Sequence, residues 1–433
     1  MDAEATVHRD ADVLVSGRRI EAVGKGVEAP AGTDILDAAD HLVLPGLIQG
    51  HLHLGQTLFR GLAERRRLLP WLRERIWPLE GAHDDDSAYW SARAGAAECL
   101  LGGTTTIQDI GIGPGAEGLL NGIADSGLRA QAGMCLMDEG EGLPESLGGR
   151  ADEVLNAAER LGAQFEIRDP ERLRYVLNPR FILSCSDALW AGIRQLAGDR
   201  GWPVHTHALE QEEEGAAVMA AKGRDEIEYF DENGILDSTF CIAHGVWMSP
   251  NHRRRVESSP FSVVHCPSSN LKLGSGIADL IGLREAGIPV GVGADGAPCN
   301  NDLDGFEEVR LAALLQSLRH GPDGFSGLDA LRLATSEGAR AIGWDSEIGS
   351  LEAGKRADVI VLDAGGPEFI ADESVDPHDL VVFSASRSSV RDVFLGGRQM
   401  VRGGELVSQD LPEITVRSRQ SLTELIRRSG LEL

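Results

Sequence analysis

Eight short runs of apolar and β-branched residues punctuate the middle of the chain, and each ends in a polar cluster. In order they are LVLPGLIQGHLH, TTTIQDI, RAQAGMCLM, LRYVLNPRFIL, PVHTH, TFCIAHG, FSVVHCP and IPVGVGAD. Near-continuous apolar runs of this length fit strands buried on both faces. Between most of them lie stretches of helical pattern, among them DDSAYWSARAGAAECLLGG, EGLLNGIADSG, SDALWAGIRQLAGDRG and IADLIGLREAG. Strand–helix alternation builds right-handed parallel units. Eight units predict an α/β fold, a (β/α)8 TIM barrel over residues 46–348. Seven of the eight runs carry His, Asp or Arg at or near their C-terminal ends, where such barrels assemble their chemistry.

The two ends of the chain read differently. ADVLVSGRRIEAVG near the start, and SLEAGKRADVIVLD and SSVRDVFLGGRQMVRGGEL near the end, are short strands broken by glycine turns. Residues 1–45 and 349–433 are therefore expected to combine into one small β-sandwich beside the barrel. DLPEITVRSRQSLTELIRRSGLEL predicts a closing amphipathic helix.

The strand ends carry the candidate chemistry. His51 and His53 are two residues apart at the end of the first run, so they share a strand face. Two neutral imidazoles side by side invite a metal ion, although ordinary hydrogen bonds could hold such a pair. The fifth run offers His205, His207 and Glu210, the sixth His244, and the eighth Asp295. In a closed barrel these ends converge on one mouth. Three imidazoles and a carboxylate suit Zn²⁺ or a similar divalent ion, with ferrous iron an alternative, and leave a position for water. Glu210, three residues beyond His207, and His244 are then free for proton transfer. There is no lysine between Lys25 and Lys222, so a carboxylated lysine cannot bridge two metals on the fourth strand, and a single ion is expected.

Composition narrows the partners. A net charge of −27 argues against nucleic acid, which needs a basic patch. No apolar run is long enough to span a membrane, and the first residues form no cationic apolar signal. Six scattered cysteines without a CxxC pair suggest reduced thiols and a cytoplasmic location. Of 41 Lys and Arg residues only Lys25, Lys222, Lys272 and Lys355 are lysines. An acidic, lysine-poor chain fits a protein kept soluble at high salt.

The motifs PGLIQGHLHLGQTLFRG, WLRERIWPLE, GGTTTIQD, HTHALE, AHGVW, HCPSSNLKLGSG, GADGAPCNNDLD and IGSLEAGKRADVIVLD, in this order, resemble the amidohydrolase superfamily. The branch concerned contains metal-dependent nucleoside deaminases and triazine chlorohydrolases. The resemblance implies His51, His53, His207 and Asp295 as metal ligands. It implies Glu210, His244 and Asp295 as the catalytic groups, with Glu210 and His244 also touching substrate. Trp71 and Glu80 match nucleoside-contacting positions, with Glu80 at the ribose hydroxyls. The implied reaction is hydrolytic deamination of an adenosine derivative by a homo-oligomer. The alternatives are guanine-type deamination, triazine dechlorination and an inactive metal-binding scaffold.

Three departures from the family pattern bear on substrate. Met134 stands where relatives accepting an amino-acid tail carry an arginine, and Arg150 is the candidate for a second such anchor. Arg180 replaces a histidine common in nucleoside deaminases and, within PRFILSCS, resembles the purine-contacting arginine of guanine deaminases. The strand that usually precedes VHRDADVLVSG is not in the sequence, which implies a misassigned start or a small domain lacking an edge strand. His205 is expected to be structural, His265 to be either structural or pocket-lining, and Cys299 to be a pocket-lining thiol.

Overall fold

The computed structural model describes residue 2 and residues 4–432. Eight parallel strands follow one another in sequence order: Leu47–His53, Thr104–Asp109, Arg129–Ala132, Leu173–Tyr175, Val204–Ala208, Phe240–His244, Phe261–His265 and Val290–Val292. Strands one to four pair in order, as do strands five to eight. Two contacts close the ring. Leu177, just past strand four, bridges to Val204, and His205 N–H donates to the Leu177 carbonyl at 2.9 Å. Asp295 and Gly296, just past strand eight, pair with Leu52 and His53. The fold is a (β/α)8 barrel with a small domain, as the alternation predicts.

Helices Asp85–Leu101, Ala116–Ser126, Ala151–Glu166, Asp187–Arg200 and Gly305–His320 are among the longer ones. One expected helix is shorter than its pattern: IADLIGLREAG gives only Leu280–Glu285. Strands three and four are also shorter than their apolar runs, each breaking before a two-residue extension, Cys135–Leu136 and Asn178–Pro179. At the break in strand three Gly133 packs so closely that a Cβ there would lie 1.9 Å from the Val176 carbonyl oxygen.

Strands from both ends of the chain form one five-stranded antiparallel sheet, with His41–Pro45 paired to Val359–Asp363. The hairpin of Asp12–Ser16 and Arg19–Gly24 packs against it, burying Ile20 beside Leu351, Ala357 and Val359. Only Gly46 separates this sheet from the first barrel strand, and a Cβ there would lie 2.1 Å from Thr105 Oγ1. A buried ion pair, Arg129 Nε to Asp358 Oδ2 at 2.8 Å, ties the third barrel strand to the sheet. The first strand, and with it His51 and His53, is thus anchored at its base. The closing helix is Leu411–Ser429, and its Leu425 is buried in the same apolar cluster as Trp71. Among the described residues no helix is long and apolar enough to cross a membrane, and all six cysteines are buried free thiols.

Candidate active site

At the C-terminal end of the barrel His51, His53, His207 and Asp295 each offer one ligand atom, and these atoms lie within 4.8 Å of one another. The backbone supplies the convergence. His51 and His53 share a face of strand one, His207 is the penultimate residue of strand five, and Asp295 follows strand eight in the left-handed region with φ of 62°. His244, ending strand six, has φ of 73°. A left-handed conformation is unfavourable for residues with a Cβ and concentrates at functional sites.

Hydrogen bonds fix which nitrogen of His51 and of His207 is free. His205 Nδ1 lies 3.3 Å from the Cys241 carbonyl, which can only accept, so His205 Nδ1 carries the hydrogen. Its Nε2 then accepts from His51 Nδ1 at 2.8 Å and leaves the His51 Nε2 lone pair facing the cluster. That Nε2 is buried, makes no hydrogen bond and lies 3.2 Å from Asp295 Oδ1. His207 Nδ1 donates to the Arg180 carbonyl at 2.6 Å, so its Nε2 also faces inward, 3.0 Å from His53 Nε2. Asp295 Oδ2 accepts from Ser269 Oγ at 2.6 Å, while Oδ1 lies 3.2 Å from His53 Nε2. Burial drives His51 down to about 4 and His207 well below the ordinary histidine range, so both rings are neutral. Burial opposes ionisation of Asp295, yet with His53 beside it the carboxyl stays well below the usual range. The bare Nε2 atoms of His51 and His207 beside one anionic oxygen, the first of them buried and without a hydrogen bond, fit a divalent cation and the donor set of zinc.

Beside this cluster stand two proton-carrying groups. His244 Nδ1 contacts Asn270 Oδ1 at 2.9 Å, and its buried Nε2 lies 3.5 Å from Glu210 Oε2. Burial, reinforced by the Asp295 charge, pushes the Glu210 carboxyl up to about 8. Glu214 accepts from the Glu210 backbone N–H at 3.1 Å and so pins the chain that carries Glu210. Asp109 does the same after strand one, accepting from Leu54 N–H at 2.6 Å and Gly111 N–H at 2.9 Å.

His53, His207, Glu210, His244 and Asp295 line a narrow cavity, to which a helical segment over residues 68–80 contributes Leu68, Trp71 and Leu72. One turn of that segment is widened, with Trp77 N–H bonding to the Leu72 carbonyl. Such wide turns recur at functional sites. The cavity's free volume is about 30 Å³, room for a water molecule.

The remaining sequence candidates separate. Arg180 is buried and lines the cavity. Glu80 is not among the lining residues. It is 1% exposed, with Oε1 accepting from Gln56 Nε2 at 2.7 Å and Oε2 from Arg180 Nη1 at 2.5 Å. The expected ribose contact therefore has both oxygens engaged within the protein. Arg150 lies away from the cavity, its side chain 75% exposed and paired with Asp152 at 3.0 Å, because it immediately precedes a surface helix. His205 is structural, as expected, with the added task of orienting His51. His265 is buried and pushed down to about 3, beside Asn270. Cys299 is buried, and burial raises its thiol well above the ordinary value, which disfavours a nucleophile. Ser269, Asn270 and Ser275, which touch Asp295, His244 and Glu210, have no role in the sequence reading although their motif stands out there. Polar residues directly after a buried strand were the available signal.

The amidohydrolase family profile matches residues 42–400. The chain is 34% identical over 424 residues to a 5-methylthioadenosine/S-adenosylhomocysteine deaminase of Halobacterium salinarum, covering 97% of this chain and 95% of that one. It is 34% identical over 385 residues to a 5'-deoxyadenosine deaminase of Methanopyrus kandleri, covering 89% and 86%. A zinc-bound adenosine deaminase from Xanthomonas campestris superposes with a TM-score of 0.90 at 30% identity, covering 99% and 97%. The chain belongs to the amidohydrolase family.

Proposed function

We propose that this chain is a metal-dependent hydrolase that deaminates an adenosine derivative, 5'-deoxyadenosine or methylthioadenosine foremost, and releases ammonia. The observation that carries this reading is the buried cluster of three imidazoles and one carboxylate with Glu210 and His244 beside it. The likeness to nucleoside deaminases supports the substrate class. His51, His53, His207 and Asp295 would hold one divalent ion, zinc in our reading, because the donor set suits it and a zinc-bound relative shares the fold. When bound, the ion supplies Lewis-acid activation that lowers the pKa of a water toward neutrality.

The chain's own groups perform the remaining work. Asp295 and His244 Nε2 orient the attacking water and take its proton. Glu210, raised to about 8 and therefore protonated at neutral pH, gives a proton to the ring nitrogen beside the attacked carbon. Water oxygen adds at that carbon, and the amino group leaves as ammonia after protonation. Trp71 packs over the base. The acidic surface belongs, in this reading, to a cytoplasmic homo-oligomer working at high salt.

A second reading has a specific observation behind it. Arg180 presents a buried cation in the cavity while Glu80 is engaged by Arg180 and Gln56, which favours an oxopurine over a ribose contact. An ammonia-release screen over 5'-deoxyadenosine, methylthioadenosine, adenosine, S-adenosylhomocysteine, guanine and a chlorotriazine tests both. Highest kcat/KM on 5'-deoxyadenosine or methylthioadenosine supports the first reading, and highest kcat/KM on guanine supports the second. Chloride release without ammonia overturns both.

A further inference from the structure

We infer that Ser275, oriented by Gln211, is a positioning residue that selects which oxygen of Glu210 carries the transferable proton. This rests on the reading of Glu210 as the proton carrier. The direction of each hydrogen bond follows from the partners. Gln211 contacts the Leu273 carbonyl oxygen at 3.1 Å. A carbonyl only accepts, so the atom facing it is the amide nitrogen Nε2, which carries two hydrogens. The second of these reaches Ser275 Oγ at 3.1 Å. Ser275 Oγ is thereby an acceptor toward Gln211, and its single hydrogen is left to donate elsewhere. Among the described residues the acceptor in reach is Glu210 Oε1, at 3.2 Å.

The consequence falls on Glu210. Oε1 is committed as an acceptor, so protonation at Oε1 would set two hydrogens against each other. The proton is confined to Oε2, the oxygen 3.5 Å from His244 Nε2. A carboxyl free to rotate would spend part of its time with its proton turned toward residue 275 and away from the reacting atoms. Glu210, Gln211 and Ser275 are all buried. The arrangement spans two loops. Gln211 directly follows Glu210 after strand five, whereas Ser275 follows the helix Pro267–Leu273 after strand seven. Trp247 Nε1–H, from the loop after strand six, donates to the Ser275 carbonyl at 3.0 Å and holds its backbone in place.

The test compares Ser275→Ala, Ser275→Thr and Glu210→Gln in the metal-loaded enzyme, with metal content and melting temperature measured on each. Ser275→Ala is expected to lower kcat by about ten- to a hundredfold, the scale of a misplaced reacting group, with KM changed less than about threefold. Ser275→Thr, which keeps the hydroxyl, should recover most of that loss, and Gln211→Leu should lower kcat in the same direction as Ser275→Ala. Unchanged kcat in Ser275→Ala, with Glu210→Gln inactive, overturns the positioning role and leaves the reading of Glu210 standing. Near-normal turnover of Glu210→Gln overturns that reading itself. A loss in Ser275→Ala that Ser275→Thr does not recover, or that comes with lost metal or a collapsed melting temperature, marks a structural role and also overturns the inference.

Discussion

His205 touches no substrate in this account, yet its replacement should weaken metal binding by a calculable amount. His205→Phe keeps the ring volume and removes the acceptor for His51 Nδ1–H, now 2.8 Å away. Without metal, His51 escapes by moving its hydrogen to Nε2, which lies 3.2 Å from Asp295 Oδ1. With metal, Nε2 must be bare, so the hydrogen is forced onto Nδ1 in a site where His51 is 0% exposed. An unsatisfied buried donor costs about 1–3 kcal/mol. At about 1.4 kcal/mol per tenfold, that is roughly five- to 150-fold in affinity. The cost falls on the loaded state and spares the metal-free fold. Competition for Zn²⁺ against a chromophoric chelator reads it directly. The expected pattern is weaker binding in His205→Phe, partial recovery in His205→Gln, whose amide oxygen can accept, and similar melting temperatures of the metal-free proteins. Wild-type affinity in a folded His205→Phe would refute the tautomer argument.

Arg180→Met should destabilise the fold by about 3–5 kcal/mol, because it leaves the buried Glu80 carboxylate unpaired; denaturant titration should show most of this recovered in Arg180→Met/Glu80→Gln. Burial raises Glu308 from 4.5 to about 8, against hydrogen bonds from Ser268 and Asn300 that pull the other way. The folded state thus holds that proton more tightly, its contribution is complete below about pH 4.5 and is lost as pH rises through about 8. Glu308→Gln should accordingly flatten the fall of the unfolding midpoint across that window. The net charge of −27 predicts that melting temperature and activity rise together with salt, as the screening length falls from ~10 Å at 0.1 M to ~3 Å at 1 M; full stability in dilute buffer would contradict this.

Much of the site is written in local patterns. The period of two in a strand puts His51 and His53 on one face, and the placement of His207, His244 and Asp295 at strand ends follows once eight strands close a ring. Other features depend on contacts between distant positions. Glu80 and Arg180 lie 100 residues apart, and nothing local to either tells that they neutralise each other. The tautomer of His51 is set from the fifth strand and, through it, by a carbonyl of the sixth. The orienting residues Ser269, Asn270 and Ser275 sit in a loop where a serine or asparagine satisfying its own backbone would look the same in sequence. Arg150 shows the converse: a charged residue at a plausible spacing turns outward to Asp152.

Reaction of the metal-loaded protein with 5'-deoxyadenosine in oxygen-18-labelled water tests the central claim most directly. Hydrolytic deamination predicts one ammonia released and one labelled exocyclic oxygen on the purine base for each nucleoside consumed, and no turnover after chelation or in Glu210→Gln. Free adenine without ammonia, or ammonia release undiminished in Glu210→Gln, would contradict it.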